Sequence, residues 1–108
     1  MKKKKLYNKT YDKTILVVYG CDNKSFCRFI KKNYKEDIDI ANAKGCFYDK
    51  NSKMVIWAGE KNKLDMSIFV HELCHACFYL LRYVSIPARK ENDEAFAYLF
   101  ESFYSQIK

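Results

Sequence analysis

A chain of 108 residues with 49% hydrophobic and 17% aromatic content has enough apolar material for one core and too little length for two domains. That composition excludes a disordered chain, and no apolar run approaches the roughly 20 residues of a membrane span. Twenty basic against 13 acidic residues give a net charge of +7, but no basic stripe with regularly interleaved aromatics and no helix-turn-helix or RNA-binding signature accompanies it, so nucleic acid is not the favoured partner.

In chain order, Lys2 to Lys5 open a stretch, residues 1–12, that reads as a flexible basic tail ahead of one domain over residues 13–108. The lysines and the later run Ile15 to Cys21 superficially resemble an export signal, but the apolar part is short and is separated from the lysines by polar residues. Five cysteines without a disulfide-framework spacing point to reduced thiols and a cytoplasmic setting. Thr14 to Tyr19 is β-branched and aromatic, bounded by Gly20, and predicts a central strand covered on both faces. Asp22 or Asn23 then caps an amphipathic helix with Phe26, Phe29, Ile30 and Tyr34 on one side.

Ile38 and Ile40 alternate with Asp37 and Asp39 as a short strand would. Gly45 to Tyr48 and Lys53 to Ala58 predict a hairpin about the turn formers Asp49-Lys50-Asn51-Ser52. Asp65 is the expected N-cap of a helix running to about Val84, since Pro87 forbids continuation. Asn92 or Asp93 caps a last helix with Ala95, Phe96, Leu99, Phe100, Phe103 and Ile107 as core positions. The expected fold class is α+β: a small, mostly antiparallel sheet with its hairpin, packed on an N-terminal helix, the helix after Asp65 and a C-terminal helix.

Chemistry concentrates in Val70-His71-Glu72-Leu73-Cys74-His75-Ala76, where an H-E-x-x-H pattern holds the chain's only two histidines. Positions i and i+4 of a helix lie about 40° apart, so both imidazoles reach one divalent metal from one face. Glu72, about 100° from His71, is placed to reach a water on the metal's open side as general base. The flanks Ile68 to Val70 and Ala76 to Leu81 are apolar, which predicts a buried central helix whose polar side chains need a partner. Cys74-x-x-Cys77 lies within that helix and reads as core packing, with Cys74 near enough to His71 to line a metal pocket. Two histidines need a third protein ligand. Glu91, Asp93, Glu94 and Glu101 are the acidic candidates, and only Glu94 precedes a run that reads as a buried helix.

The two blocks His71-Glu72-x-x-His75 and Asn92-Asp93-Glu94-Ala95 resemble the gluzincin metallopeptidases. The blocks Val70 to Ala76 and Asp93 to Leu99 are similar to small zinc peptidases encoded in phages and mobile elements, over about residues 45–104. The resemblance implies a minimal zincin-like domain, one Zn2+ on His71, His75 and Glu94, Glu72 as base, a peptide or protein substrate, and the cytoplasm of a bacterial host. It also implies that the strand Lys53 to Ala58 is an edge along which an extended peptide lies. Tyr98 stands where many gluzincins carry an aspartate bonded to the first histidine, and a phenol is a weaker orienting partner. Tyr98, Tyr79 and Arg82 are the candidates for supporting the site or stabilising an oxyanion. The expected activity is zinc-dependent peptide hydrolysis. The rival is a binding module of weak or no activity on the same fold, engaging a host protein or nucleic acid.

Overall fold

Two antiparallel strand pairs, joined side by side, make the sheet of the computed structural model, which describes residues 1–107. β1 (Lys2–Asn8) pairs with β2 (Lys13–Tyr19), and β3 (Cys46–Lys50) with β4 (Lys53–Trp57). β2 and β4 run parallel at the centre, so the order is β1-β2-β4-β3. α1 (Asn23–Tyr34) lies between the two pairs in sequence, and α2 (Met66–Tyr83) and α3 (Asp93–Tyr104) complete an α+β fold. No helix among the described residues is long and apolar enough to cross a membrane.

Period-two alternation sorts the strand side chains into two cores. Ile15, Val17, Met54 and Ile56 face α2 and α3, meeting Phe69, Leu73, Leu80 and Phe103. Val18, Val55 and Trp57 face α1, meeting Phe26 and Ile30. β2 is therefore covered on both faces, as its β-branched run predicts. The 46–57 hairpin and the N-caps Asp22 and Asp65 also stand where the residues place them.

The lysine run is not a flexible tail, and the folded domain includes residues before 13. Leu6 is wholly buried and pairs in register with Ile15. Asn8, 5% exposed, donates through Nδ2 to Ser102 Oγ (2.9 Å) and accepts at Oδ1 from the Tyr11 backbone N–H (2.9 Å), closing the turn to β2. Gln106 satisfies both outer backbone groups of Tyr7, accepting from its N–H at 2.9 Å and donating to its carbonyl at 2.7 Å. These anchors hold the strand, while its lysines remain exposed along a sheet edge where charge opposes pairing with another chain.

Two further expectations change. Residues 37–44 form no strand, because the carbonyls of Ile40 and Ala43 accept from Asn23 Nδ2 (2.9 and 3.2 Å) rather than from a ladder. α2 is not buried all round. Phe69, Leu73, Ala76, Cys77, Leu80 and Leu81 are covered, whereas His71, His75, Phe78 and Arg82 are exposed. A domain of few layers has only the sheet and α3 to lay against this helix, so one face stays in water.

Asp65 accepts from the Ser67 and Ile68 backbone N–H groups (3.1 and 3.2 Å), and the Ile68 bond foremost lowers its pKa below the usual carboxylate value. A depressed pKa contributes stability that is present above the unfolded-state value and is lost as pH falls through the folded one. Asp65→Ala is accordingly expected to lower the melting temperature at neutral pH, with the difference from wild type shrinking on acidification; thermal melts of both proteins across pH check this.

Candidate metal centre

The second and third turns of α2 carry the H-E-x-x-H residues, and the i, i+4 spacing brings His71 Nε2 and His75 Nε2 to 3.3 Å. Glu72 Oε2 stands 4.0 Å from His71 Nε2, and the donor atoms of all three residues lie within 4.8 Å of one another. Two nitrogens bound to one zinc at tetrahedral geometry, each at about 2.0–2.1 Å, are about 3.3–3.4 Å apart, so the separation of the imidazole pair, also that of a hydrogen bond between the rings, matches two ligands of one ion. The chemistry of the set, two imidazoles and a carboxylate, also suits zinc.

The environment distinguishes the three side chains. The His71 side chain is 70% exposed and that of Glu72 only 12%. Glu72 is tucked against the start of β3, and burial raises its pKa above the ordinary value; the two histidines and the Phe47 backbone N–H act in the opposite direction. A groove of about 430 Å³ opens beside it, walled by Phe47 and Asp49 of β3 and by Glu72, His75, Tyr79 and Arg82 of α2. The Phe47 and Tyr79 rings meet at 5.6 Å between centroids. Burial and the neighbouring Asp49 carboxylate raise the Tyr79 pKa, keeping its phenol protonated as a donor.

Of the residues singled out from sequence, His71, Glu72 and His75 come together, and Tyr79 and Arg82 line the same groove. Tyr98 does not; it is 68% exposed and lies with Asn8 to Tyr11 at the β1–β2 turn, so it is no neighbour of His71. Glu94 is exposed in the first turn of α3, on the side away from the buried Leu99 and Phe103, and is not in the metal-capable group among the described residues. Asp93 opens α3, where a first-turn charge suits the helix N-terminus, and it also lines a groove with Phe78, Leu81 and Phe96, where Phe78 and Phe96 stack at 4.6 Å. Cys74 is half-buried and absent from the groove lining, and burial pushes the Cys77 thiol up to about 12, as suits an inert core thiol. The groove's edge strand is β3, because β4, the strand expected at the edge, lies between β2 and β3.

Sequence reasoning missed the β3 side of the site, although strand parity alone puts Gly45, Phe47 and Asp49 on one face. Gly45 is the tightest point. A Cβ there would meet Ile68 Cγ2 of α2, with the Trp57 carbonyl at 3.1 Å and Glu72 Oε2 at 3.5 Å. Gly45→Ala is expected to cost about 1–3 kcal/mol by forcing β3 from α2. Urea melts measure that loss, and a fall in metal affinity with it would show that β3 holds Glu72 in place.

No protein-family model matches this chain, and neither a curated protein nor a solved structure matches it.

Proposed function

We propose that this chain is a metal-dependent peptidase, of the zincin kind its motif resembles, in which His71 and His75 hold one zinc ion and Glu72 is the general base. The observation that carries the reading is the 3.3 Å separation of the two Nε2 atoms beside a carboxylate set back from them. Zinc, when bound, supplies a Lewis acid that activates water at neutral pH and polarises a carbonyl. Glu72 takes the proton from the attacking water and returns it to the leaving amine, a task that suits a carboxylate whose pKa burial has raised. The free edge of β3 offers backbone groups to an extended peptide lying in the groove. Arg82 is the donor available there for a developing oxyanion or a substrate carboxylate, and Tyr79 joins it where its phenol turns from Asp49.

The exposed placement of Glu94 favours a second reading, a binding module whose activity is weak because the metal lacks a third protein ligand. A zinc-loaded sample incubated with a quenched fluorescent peptide library tests the two. Cleavage abolished by chelator and by Glu72→Gln supports the peptidase; a loaded protein that cleaves nothing supports the binding module.

A further inference from the structure

Positive charge is segregated along this chain. Residues 1–35 carry 11 basic against 2 acidic side chains, and residues 36–108 carry 9 against 11. The fold turns the first group into a surface. Lys3 and Lys5 of β1 stand opposite Val18 and Leu16, residues of the α1-side core, and so project toward α1. Lys53 of β4 has the same parity as Val55 and joins them on that face. Lys3 Nζ lies 5.0 Å from the centroid of the Phe29 ring. Lys5 and Lys53, with Leu16 and Tyr34, line a cleft of about 450 Å³. Phe29 and Tyr34 meet edge to face at 6.3 Å, so two half-buried rings of α1 stand beside these three lysines, Phe29 next to Lys3 and Tyr34 in the cleft with Lys5 and Lys53.

Of the acidic groups nearby, Asp37 and Glu36 have lysine partners, while Asp12 and Asp22 are held by neutral donors. Asp12, which shares the cleft, accepts from Tyr7 Oη at 2.8 Å; Asp22 caps α1; Asp37 pairs with Lys31 at 2.7 Å. Lys13 also borders the cleft, with its ammonium over the Tyr83 ring, and exposed Lys24, Arg28 and Lys32 extend the positive field along the outer side of α1.

We propose that this surface binds single-stranded nucleic acid, its lysines on successive phosphates, with Lys3 moving from the Phe29 ring to a phosphate and so uncovering that ring for a base. Lysines two residues apart on a strand repeat at about 6.6 Å, a regular array suited to a regular linear polyanion. Aromatic rings among lysines distinguish single-strand sites from surfaces that meet phosphates alone. Phe78, Tyr83 and Tyr98, three of the large exposed apolar side chains, lie on α2 and α3, whereas exposed Tyr7 of β1 shares the parity of Lys3 and Lys5 and adds a third ring to their face. α1 and α2 cover opposite faces of the sheet, so this surface is independent of the metal centre.

Fluorescence anisotropy with a labelled 20-nucleotide oligo-dT tests the proposal on the full chain. Three phosphate contacts predict a loss of affinity of about 20-fold between 50 and 200 mM salt. Lys3→Gln/Lys5→Gln/Lys53→Gln is expected to abolish most of that dependence and weaken binding at low salt at least about 10-fold, while Lys61→Gln/Lys63→Gln/Lys90→Gln, which removes the same charge elsewhere, changes it little. Should the first variant fail to fold, Lys5→Gln/Lys53→Gln, at two exposed positions, carries the same comparison. No binding at 50 mM salt, equal losses in both triple variants, or polyglutamate competing as well as oligo-dT would overturn it.

Discussion

Zinc uptake is expected at about one ion per chain in the wild type and at background in His71→Ala and His75→Ala, read by elemental analysis after identical reconstitution. Each imidazole supplies one of the two nitrogens that stand 3.3 Å apart, and a single exposed histidine left on a helix is a weak ligand. Glu72→Gln is expected to keep its metal, because the carboxylate is set back 4.0 Å from His71 Nε2, and to lose hydrolysis by about 10²–10⁴-fold, the usual contribution of a general base. Loss of metal from Glu72→Gln would instead make Glu72 a ligand and remove the base from the mechanism. Glu94→Ala decides the third position. With Glu94 on the outer side of α3 the variant retains zinc; if it loses zinc, the first turn of α3 swings inward on metal binding and supplies the ligand that the resemblance implies.

Trp57→Ala is expected to remove about 3–5 kcal/mol, the largest stability loss of any single truncation of this core. Trp57 is 2% exposed, stacks on Phe26 at 5.5 Å with 13° between ring planes, and donates Nε1–H to the Cys21 carbonyl at 3.0 Å. It therefore ties β4, α1 and the end of β2 together. Trp57→Phe keeps an apolar ring but leaves that carbonyl without its donor, so an intermediate loss of about 1–3 kcal/mol is expected. Urea denaturation followed by circular dichroism measures both. Equal losses in the two variants would show that the hydrogen bond, rather than the filled volume, dominates at this position.

Much of the architecture was legible because it depends on local rules. The β-branched run at Thr14 to Tyr19, the turn formers between residues 49 and 52, the caps Asp22 and Asp65 and the 3.6-residue spacing on α1 each act over a few residues. The same holds for His71, Glu72 and His75, whose proximity follows from one helix. Lys2 to Lys5 misled because the anchors of that segment, Ser102 and Gln106, lie more than 90 residues away, and charge alone resembles a solvated tail. Ile38 and Ile40 misled because the side chain of Asn23, distant in sequence, takes the carbonyls that a strand partner would have taken.

By itself, then, the sequence determined the element types, the α+β class and the three metal-capable side chains, since propensity, capping and helix spacing are short-range effects. Only the tertiary structure decided which strand edges the groove, which face of α2 meets water, and where Glu94, Tyr98 and Asp93 stand. Strand order and helix facing are set by how two small cores share one sheet. That same packing brought Gly45, Phe47 and Asp49 beside Glu72 and His75, and Lys3, Lys5 and Lys53 near the rings of α1, across distances in sequence that no local pattern spans.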